Sequence, residues 1–231
     1  MLTNTAQNDE QLCVPIFLHM TKTAGGTLKN AIENSPELKT VFISNQSVNN
    51  GSIDPEAFNS CQLFYGHSIF GVHNALNVQP LYYTFIRHPV RRAISHYYHL
   101  FDVDSSSTGD KIRTEIDINA FFKNCYHWEF DNFMCRILSG DGNSSDIEIQ
   151  DIYEKAICNI DSYFNYIGFQ EFFPESVQRL SNELSSNITV NQNVNIGKYD
   201  RSTINSETYS AIKEMNEHDM ALYKYCVNKF L

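Results

Sequence analysis

Three stretches of the chain, Val14–His19, Leu81–Ile86 and Tyr163–Phe169, are near-continuous apolar or aromatic runs. Runs of this length read as strands buried on both faces of a parallel sheet. Thr40–Ser44 and Gln62–Tyr65 read as two further strands. Between and after the strands, the spacing of apolar residues predicts helices over 25–34, 89–101, 117–138, 147–160, 174–185 and 206–229. In the last of these Ala211, Ile212, Met215, Leu222, Cys226 and Phe230 share one stripe, which reads as core packing. Strands alternating with helices predict an α/β fold with a central, mainly parallel sheet flanked by helices. Residues 1–11 read as a flexible tail and 12–231 as a single domain. Polar segments at 44–60, 102–110 and 186–205 read as loops, and the last is long enough to suggest that it covers a ligand.

The join between the first strand and the first helix carries the most chemistry. It reads Lys22-Thr23-Ala24-Gly25-Gly26-Thr27. A strand, a glycine-containing loop and a helix N-terminus form an anion cradle, because the first-turn N–H groups and the positive end of the helix dipole face the same point. Lys22 adds a point charge, and Thr23 and Thr27 add hydroxyl donors.

A second basic segment follows the strand Leu81–Ile86. Arg87 stands at its carboxyl end, where open α/β sheets bind ligands, and Pro89 suits the first turn of the next helix. Val90, Ala93, Ile94, Tyr97 and Phe101 form that helix's apolar stripe, leaving Arg91, Arg92, Ser95 and His99 off it. Arg91 and Arg92 fit an exposed, solvated face; Arg87 and Ser95 fit a second anion site. A P-loop nucleotidase would place its lysine after the glycines and an acidic residue at a strand end to hold Mg²⁺. Here Lys22 precedes Gly25, and the strand ends in Arg87. The ligand this pattern suits is a nucleotide with separated 5′ and 3′ anionic groups.

The net charge of −10 tells against a general nucleic-acid binder and against a heavily sulfated substrate. No apolar run is long enough to span a bilayer and no signal peptide is visible, so the cytoplasm is the expected location. The six cysteines contain no Cys-x-x-Cys pair, which disfavours structural zinc; a Cys125–Cys135 bridge stays open.

Together the two anion motifs resemble those of the sulfotransferases that use 3′-phosphoadenosine 5′-phosphosulfate (PAPS), closest to the carbohydrate branch of heparan sulfate 2-O- and 6-O-sulfotransferases. Lys22–Thr27 resembles the family's 5′-phosphosulfate loop, with Met20-Thr21 where a proline often stands. Arg87-His88-Pro89 with Ser95 resembles its 3′-phosphate motif, His88 replacing the usual aspartate. Asn132–Gly140 and Asp219 with Leu222-Tyr223 resemble two later segments. The resemblance implies a P-loop-like three-layer domain and PAPS as co-substrate, with no metal required. It implies an acceptor hydroxyl on a glycan or small molecule. Lys22, Thr23, Ala24, Gly25, Gly26 and Thr27 would hold the 5′ end, and Arg87 and Ser95 the 3′-phosphate. Gly197 and Lys198 would lie where the family closes over the nucleotide. Tyr65-Gly66-His67-Ser68 resembles the His-Gly-His segment of the 2-O branch, making His67 the candidate base beside Lys22 as the second catalytic residue. His19 is its main rival and His73 a weaker one. A P-loop-type small-molecule kinase and a non-catalytic nucleotide- or glycan-binding module are the alternatives.

Overall fold

The computed structural model describes residues 13–102, 117–124, 127–190 and 203–231. Its centre is a five-stranded sheet in the order β2-β3-β1-β4-β5. The strands are β1 (Cys13–Leu18), β2 (Thr40–Ser44), β3 (Leu63–His67), β4 (Gln79–Ile86) and β5 (Phe164–Phe169). Every pairing is parallel, so the sheet goes beyond the expected "mainly parallel". The cause lies in the sequence: β1 and β4 bury Ile16, Phe17, Leu18, Tyr82, Tyr83, Phe85 and Ile86, as strands covered on both faces must.

Helices flank the sheet. They are α1 (Gly25–Glu33), α2 (Asn45–Asn49), α3 (Pro55–Ser60), α4 (Val72–Leu76), α5 (Pro89–Asp102), α6 (Ile118–Asn124), α7 (Phe133–Ser139), α8 (Ile149–Tyr163), α9 (Phe173–Glu183), α10 (Ser206–Met215) and α11 (Glu217–Phe230). Among the described residues, none of these is long and apolar enough to cross a membrane.

The chain leaves β1 toward β2 on one side and leaves β4 toward β5 on the other. The carboxyl ends of β1 and β4 therefore flank a topological switch point, where open α/β sheets leave a crevice.

Several boundaries differ from the sequence reading. The expected helix 117–138 is broken: α6 and α7 are separated by a short 3₁₀ turn, Trp128–Phe130, and Asn132 takes a left-handed conformation with φ 47°. The expected helix 206–229 breaks at Asn216, which is fully buried and whose side-chain amide donates to the carbonyls of Phe130 and Ile212. A periodic apolar stripe does not register such a break, because the stripe resumes in phase. The expected loop 44–60 contains α2 and α3. Ser44 caps α2 in a capping box, and Asp54 caps α3 with Pro55 in its first turn. On α5, Arg92 is fully buried, not solvated, while Phe101 is 39% exposed and Leu100 takes its place inside. Of the two cysteines whose pairing the sequence leaves open, Cys125 lies outside the described residues and Cys135 is a buried free thiol.

Two motifs that are distant in sequence interlock. Asp219, fully buried on α11, accepts from the N–H groups of Met134 and Cys135 at 2.9 and 2.8 Å, capping α7. Asn132 answers by accepting from the N–H of Asp219 at 3.0 Å. Arg92 lies over the Phe133 ring at 4.4 Å and donates to the Glu129 carbonyl. Burial pulls its guanidinium down to about 10, with Asp219 and Glu129 acting the other way, so it stays charged at neutral pH. Asp219 thus serves as a helix cap, and burial raises its own pKa while the charge of Arg92 opposes that. Asp219→Ala is expected to lower stability by about 1–3 kcal/mol, the range for leaving buried donors, here the N–H groups of Met134 and Cys135, without an acceptor. Asp161→Ala, which removes the exposed partner of Lys229, should cost less than about 1 kcal/mol. Urea unfolding of the two variants reads the contrast; equal losses would contradict the buried role of Asp219.

Candidate active site

The register of the sheet assembles the site. Leu18, the last residue of β1, pairs with Gly66 on one side and Thr84 on the other. The Thr84 hydroxyl, fully buried, donates to the Leu18 carbonyl at 2.7 Å, and the His19 N–H donates to Gly66 at 2.8 Å. Beyond this line His19 follows β1, His67 ends β3, and Arg87 follows β4, three residues past Thr84. Gly66 has no room for a side chain, since a Cβ there would lie 1.7 Å from the Ile43 carbonyl oxygen.

The loop after β1 is bent into unusual backbone. Lys22 and Ala24 hold φ of 68° and 67°, rare for residues other than glycine. Such strain concentrates at functional sites, and left-handed residues at alternate positions turn backbone N–H groups toward one concave point. The Thr23 hydroxyl donates to the Met20 carbonyl at 3.0 Å and closes the turn. Ala24 provides no side-chain cap to α1, and the first turn holds no acidic residue. The N-terminus of α1 therefore keeps its positive end open to an external anion.

Arg87 reaches this loop directly: its guanidinium donates to the Lys22 carbonyl at 3.2 Å. The two basic motifs, 65 residues apart, are one cluster in space. Ser95 lies on α5 and is 9% exposed. His88, next to Arg87, donates its backbone N–H to Glu171 at 3.0 Å, and the Tyr223 hydroxyl donates to the other oxygen of that carboxylate at 3.1 Å. Glu171 is thus the acidic group nearest in sequence to the end of β5, and it is engaged by protein donors. Among the described residues no group of three or more His, Cys, Asp or Glu side chains is arranged to hold a metal ion. Gly197 and Lys198 lie outside the described residues.

The histidines separate by position. His67 is exposed, and its Nδ1 lies 3.1 Å from the His19 carbonyl. A carbonyl can only accept, so Nδ1 carries the proton and Nε2 keeps its lone pair. Although the residue as a whole is exposed, the protein packed around its ring desolvates it and lowers the His67 pKa below 6.5; the His19 carbonyl opposes this and Lys29 adds to it. His19 is pushed down to about 3, first by burial and then by the charges of His67 and Lys29. Its ring stands 4.2 Å from that of His67, centroid to centroid, and is seated on the first residue of α1. A Cβ on Gly25 would lie 1.4 Å from His19 Nε2. Gly25 is therefore required by the imidazole above it, a reason for that glycine which the sequence did not disclose. His73 sits apart: it pairs with the Tyr82 hydroxyl at 2.8 Å and packs near Tyr163, at the start of β4 and β5. Trp128 packs against Phe133 as part of the core.

Sequence reasoning quoted Tyr65 without assigning it a contact. The signal was present: Tyr65 and His67 are two residues apart on a strand and so share a face. Tyr65 is buried, and its hydroxyl meets both His19 and Gly25.

No protein-family model matches the chain, and no curated protein sequence matches it. Among solved structures it is similar to the mouse sulfotransferase SULT7A1 complexed with PAP, at 13% identity and a TM-score of 0.46. That similarity covers 90% of this chain and 66% of the mouse chain, just under two thirds. It is also similar to a sulfotransferase from Alicyclobacillus acidocaldarius, at 11% identity and a TM-score of 0.41, over 90% of this chain and 96% of that one.

The clash at Gly25 gives a test that needs no substrate. Gly25→Ala should destabilise by about 1–3 kcal/mol, the usual cost of overpacking. In a His19→Ala background the same change should cost far less, since the obstructing ring is gone; equal costs in both backgrounds would contradict the packing. His19 also sets an acid dependence. Its folded pKa of about 3 lies below the unfolded 6.5, so the unfolded chain takes up a proton as pH falls through 6.5 and the folded chain does not. The stability it contributes is complete above pH 6.5 and is lost progressively down to about 3. His19→Asn should remove up to about 1.4 kcal/mol per pH unit from the slope of unfolding free energy across that window. An unchanged slope would show that His19 titrates normally in the fold.

Proposed function

We propose that the protein transfers a sulfuryl group from PAPS to the hydroxyl of an acceptor, on a carbohydrate or a small hydroxylated molecule. The observation that carries this reading is the meeting of Arg87 with the Lys22 loop at the switch point of the sheet. One anion fits the uncapped N-terminus of α1 and a second fits Arg87, as a nucleotide with separate 5′ and 3′ groups requires. The motif resemblance supplies the identity of that nucleotide, and the substrates are proposed on that basis.

The chemistry follows from the groups present. Backbone N–H groups of residues 24–27, with the Thr27 hydroxyl, hold the 5′-phosphate, and Thr23, whose hydroxyl is given to the Met20 carbonyl, closes the loop around it; Arg87 and Ser95 hold the 3′-phosphate. Gly197 and Lys198 are assigned to nucleotide closure from the resemblance alone. The acceptor oxygen attacks sulfur in line, a new S–O bond forms, and the bond from sulfur to the 5′-phosphate oxygen breaks. Lys22 stabilises the negative charge that builds on that leaving oxygen, an interaction strongest in the transition state. The acceptor proton goes to Nε2 of His67. Its lowered pKa keeps that nitrogen unprotonated at neutral pH, while His19, near 3, is too weakly basic to compete well for the proton.

Adenosine 3′,5′-bisphosphate should raise the melting temperature more than AMP or ATP. Saturation at a hundredfold excess over Kd corresponds to about 2.7 kcal/mol. Equal shifts with AMP would remove the 3′ site, and stabilisation by ATP that depends on Mg²⁺ would favour a kinase.

Turnover is read as ³⁵S transferred from PAPS to a panel of sugars and phenols. Lys22→Ala should reduce kcat about 10²–10³-fold, and His67→Ala about 10²–10⁴-fold. Arg87→Ala should act mainly on nucleotide affinity. The parent rate should rise with pH through a group below 6.5, the direction of the His67 shift, and level off above it. Near-normal turnover in Lys22→Ala would overturn the assignment of the cradle.

A further inference from the structure

The Tyr65 hydroxyl stands 3.1 Å from His19 Nδ1 and 3.0 Å from the Gly25 carbonyl oxygen. It has one proton to give. The Gly25 carbonyl can only accept, so the phenol donates there and must accept from His19. His19 is thereby held as its Nδ1–H tautomer, with Nε2 bare and facing the first residue of α1. The carbonyl of the same residue accepts from His67 Nδ1 at 3.1 Å. One continuous line of hydrogen bonds then runs from the candidate base, through the backbone and ring of His19 and the phenol of Tyr65, to the start of the cradle helix.

We propose that Tyr65 and His19 are positioning residues of the reaction centre. The phenol locks the His19 ring onto the head of α1, and the locked residue presents His67 with its Nε2 free toward the acceptor. This assignment rests on the reading of His67 as the base.

Packing alone does not explain the hydroxyl. The Tyr65 ring stacks on Phe17 at 5.5 Å and on His19 at 5.5 Å, contacts that a phenylalanine would also make. What the oxygen adds is the two hydrogen bonds. Burial raises the phenol pKa, with Glu33 adding to the effect, so the proton that the lock needs stays in place across the working range. The charged or titratable groups that act on His19 are His67 and Lys29, and both disfavour a second proton on its ring. The lock therefore holds a neutral imidazole.

Tyr65→Phe, His19→Asn and His19→Gln test the proposal. Asparagine can place an amide N–H near the position of Nδ1–H; glutamine extends past it toward Nε2 and loses the bond to Tyr65. ¹⁵N-histidine NMR of the parent should show His19 as a single Nδ1–H tautomer, and Tyr65→Phe should show a mixture. PAP release from PAPS should fall about 10–100-fold in Tyr65→Phe, the scale of a misplacement of about an ångström. Titration with adenosine 3′,5′-bisphosphate should give a Kd within about threefold of the parent's, since both anion sites remain. His19→Asn should keep turnover within a few-fold of the parent, while His19→Gln falls as Tyr65→Phe does.

An Nε2–H tautomer at His19 in the parent would overturn the lock, as would full turnover in Tyr65→Phe. A collapse in His19→Asn as deep as in His67→Ala would make His19 a catalytic residue and overturn the positioning role. The tautomer and the bisphosphate titration are read without turnover. A tautomer that switches in Tyr65→Phe while His67→Ala retains its rate would uphold the hydrogen-bonded lock, remove its role toward the base, and locate the failure in the assignment of His67.

Discussion

The arrangement depends on one registry. Leu18 is held between Gly66 and Thr84, and the Thr84 hydroxyl pins its carbonyl inside the sheet. Because parallel strands share a direction, this registry brings the exits of β1, β3 and β4 to one edge. His19 and His67 are the next residues after Leu18 and Gly66, and Arg87 follows two residues further along, once β4 has passed Phe85 and Ile86. A slip of one residue would turn every side chain of a strand to the opposite face. Gly66 guards against it, since a side chain there would run into the Ile43 carbonyl.

The crevice combines a rigid base with strained detail. The base is the apolar interior of β1 and β4, the part that tolerates least change. On it stands a loop with left-handed backbone at Lys22 and Ala24, and an α1 N-terminus without a side-chain cap. Such backbone costs stability and concentrates at functional sites. Away from the crevice side-chain hydrogen bonds tie the helix ends together, while Arg92 Nε and Nη1 and Asn216 Oδ1 stay buried without a protein partner. The Asp219 carboxylate accepts from the N–H groups of Met134 and Cys135 while its own N–H donates to Asn132, and Asn159 donates to the carbonyls of Leu138 and Ser139 at the other end of α7.

Much of this was legible in the sequence because it follows from local rules. Apolar runs marked the strands of a parallel sheet, and residue type at the strand ends singled out Lys22–Thr27 and Arg87, which the fold brings together. What escaped was non-local. Asn216 breaks a helix because its amide is needed at Phe130, far away in the chain. Arg92 looked like a surface charge because helical spacing places it off the apolar stripe; Phe133 and the Glu129 carbonyl, from other elements, make its site habitable. Gly25 looked like a concession to phosphate, whereas the ring of His19 is what fills its space. Contacts between elements carry no local signature.

The central claim is that one centre holds two anionic groups of a single nucleotide, one on the Lys22 loop and one on Arg87. A crystal structure with adenosine 3′,5′-bisphosphate tests it most directly. The account predicts the 5′-phosphate on the N–H groups of residues 24–27 at the head of α1, and the 3′-phosphate within hydrogen-bond distance of Arg87 and Ser95. A nucleotide bound elsewhere, or one whose 3′-phosphate points into solvent away from Arg87, would contradict it.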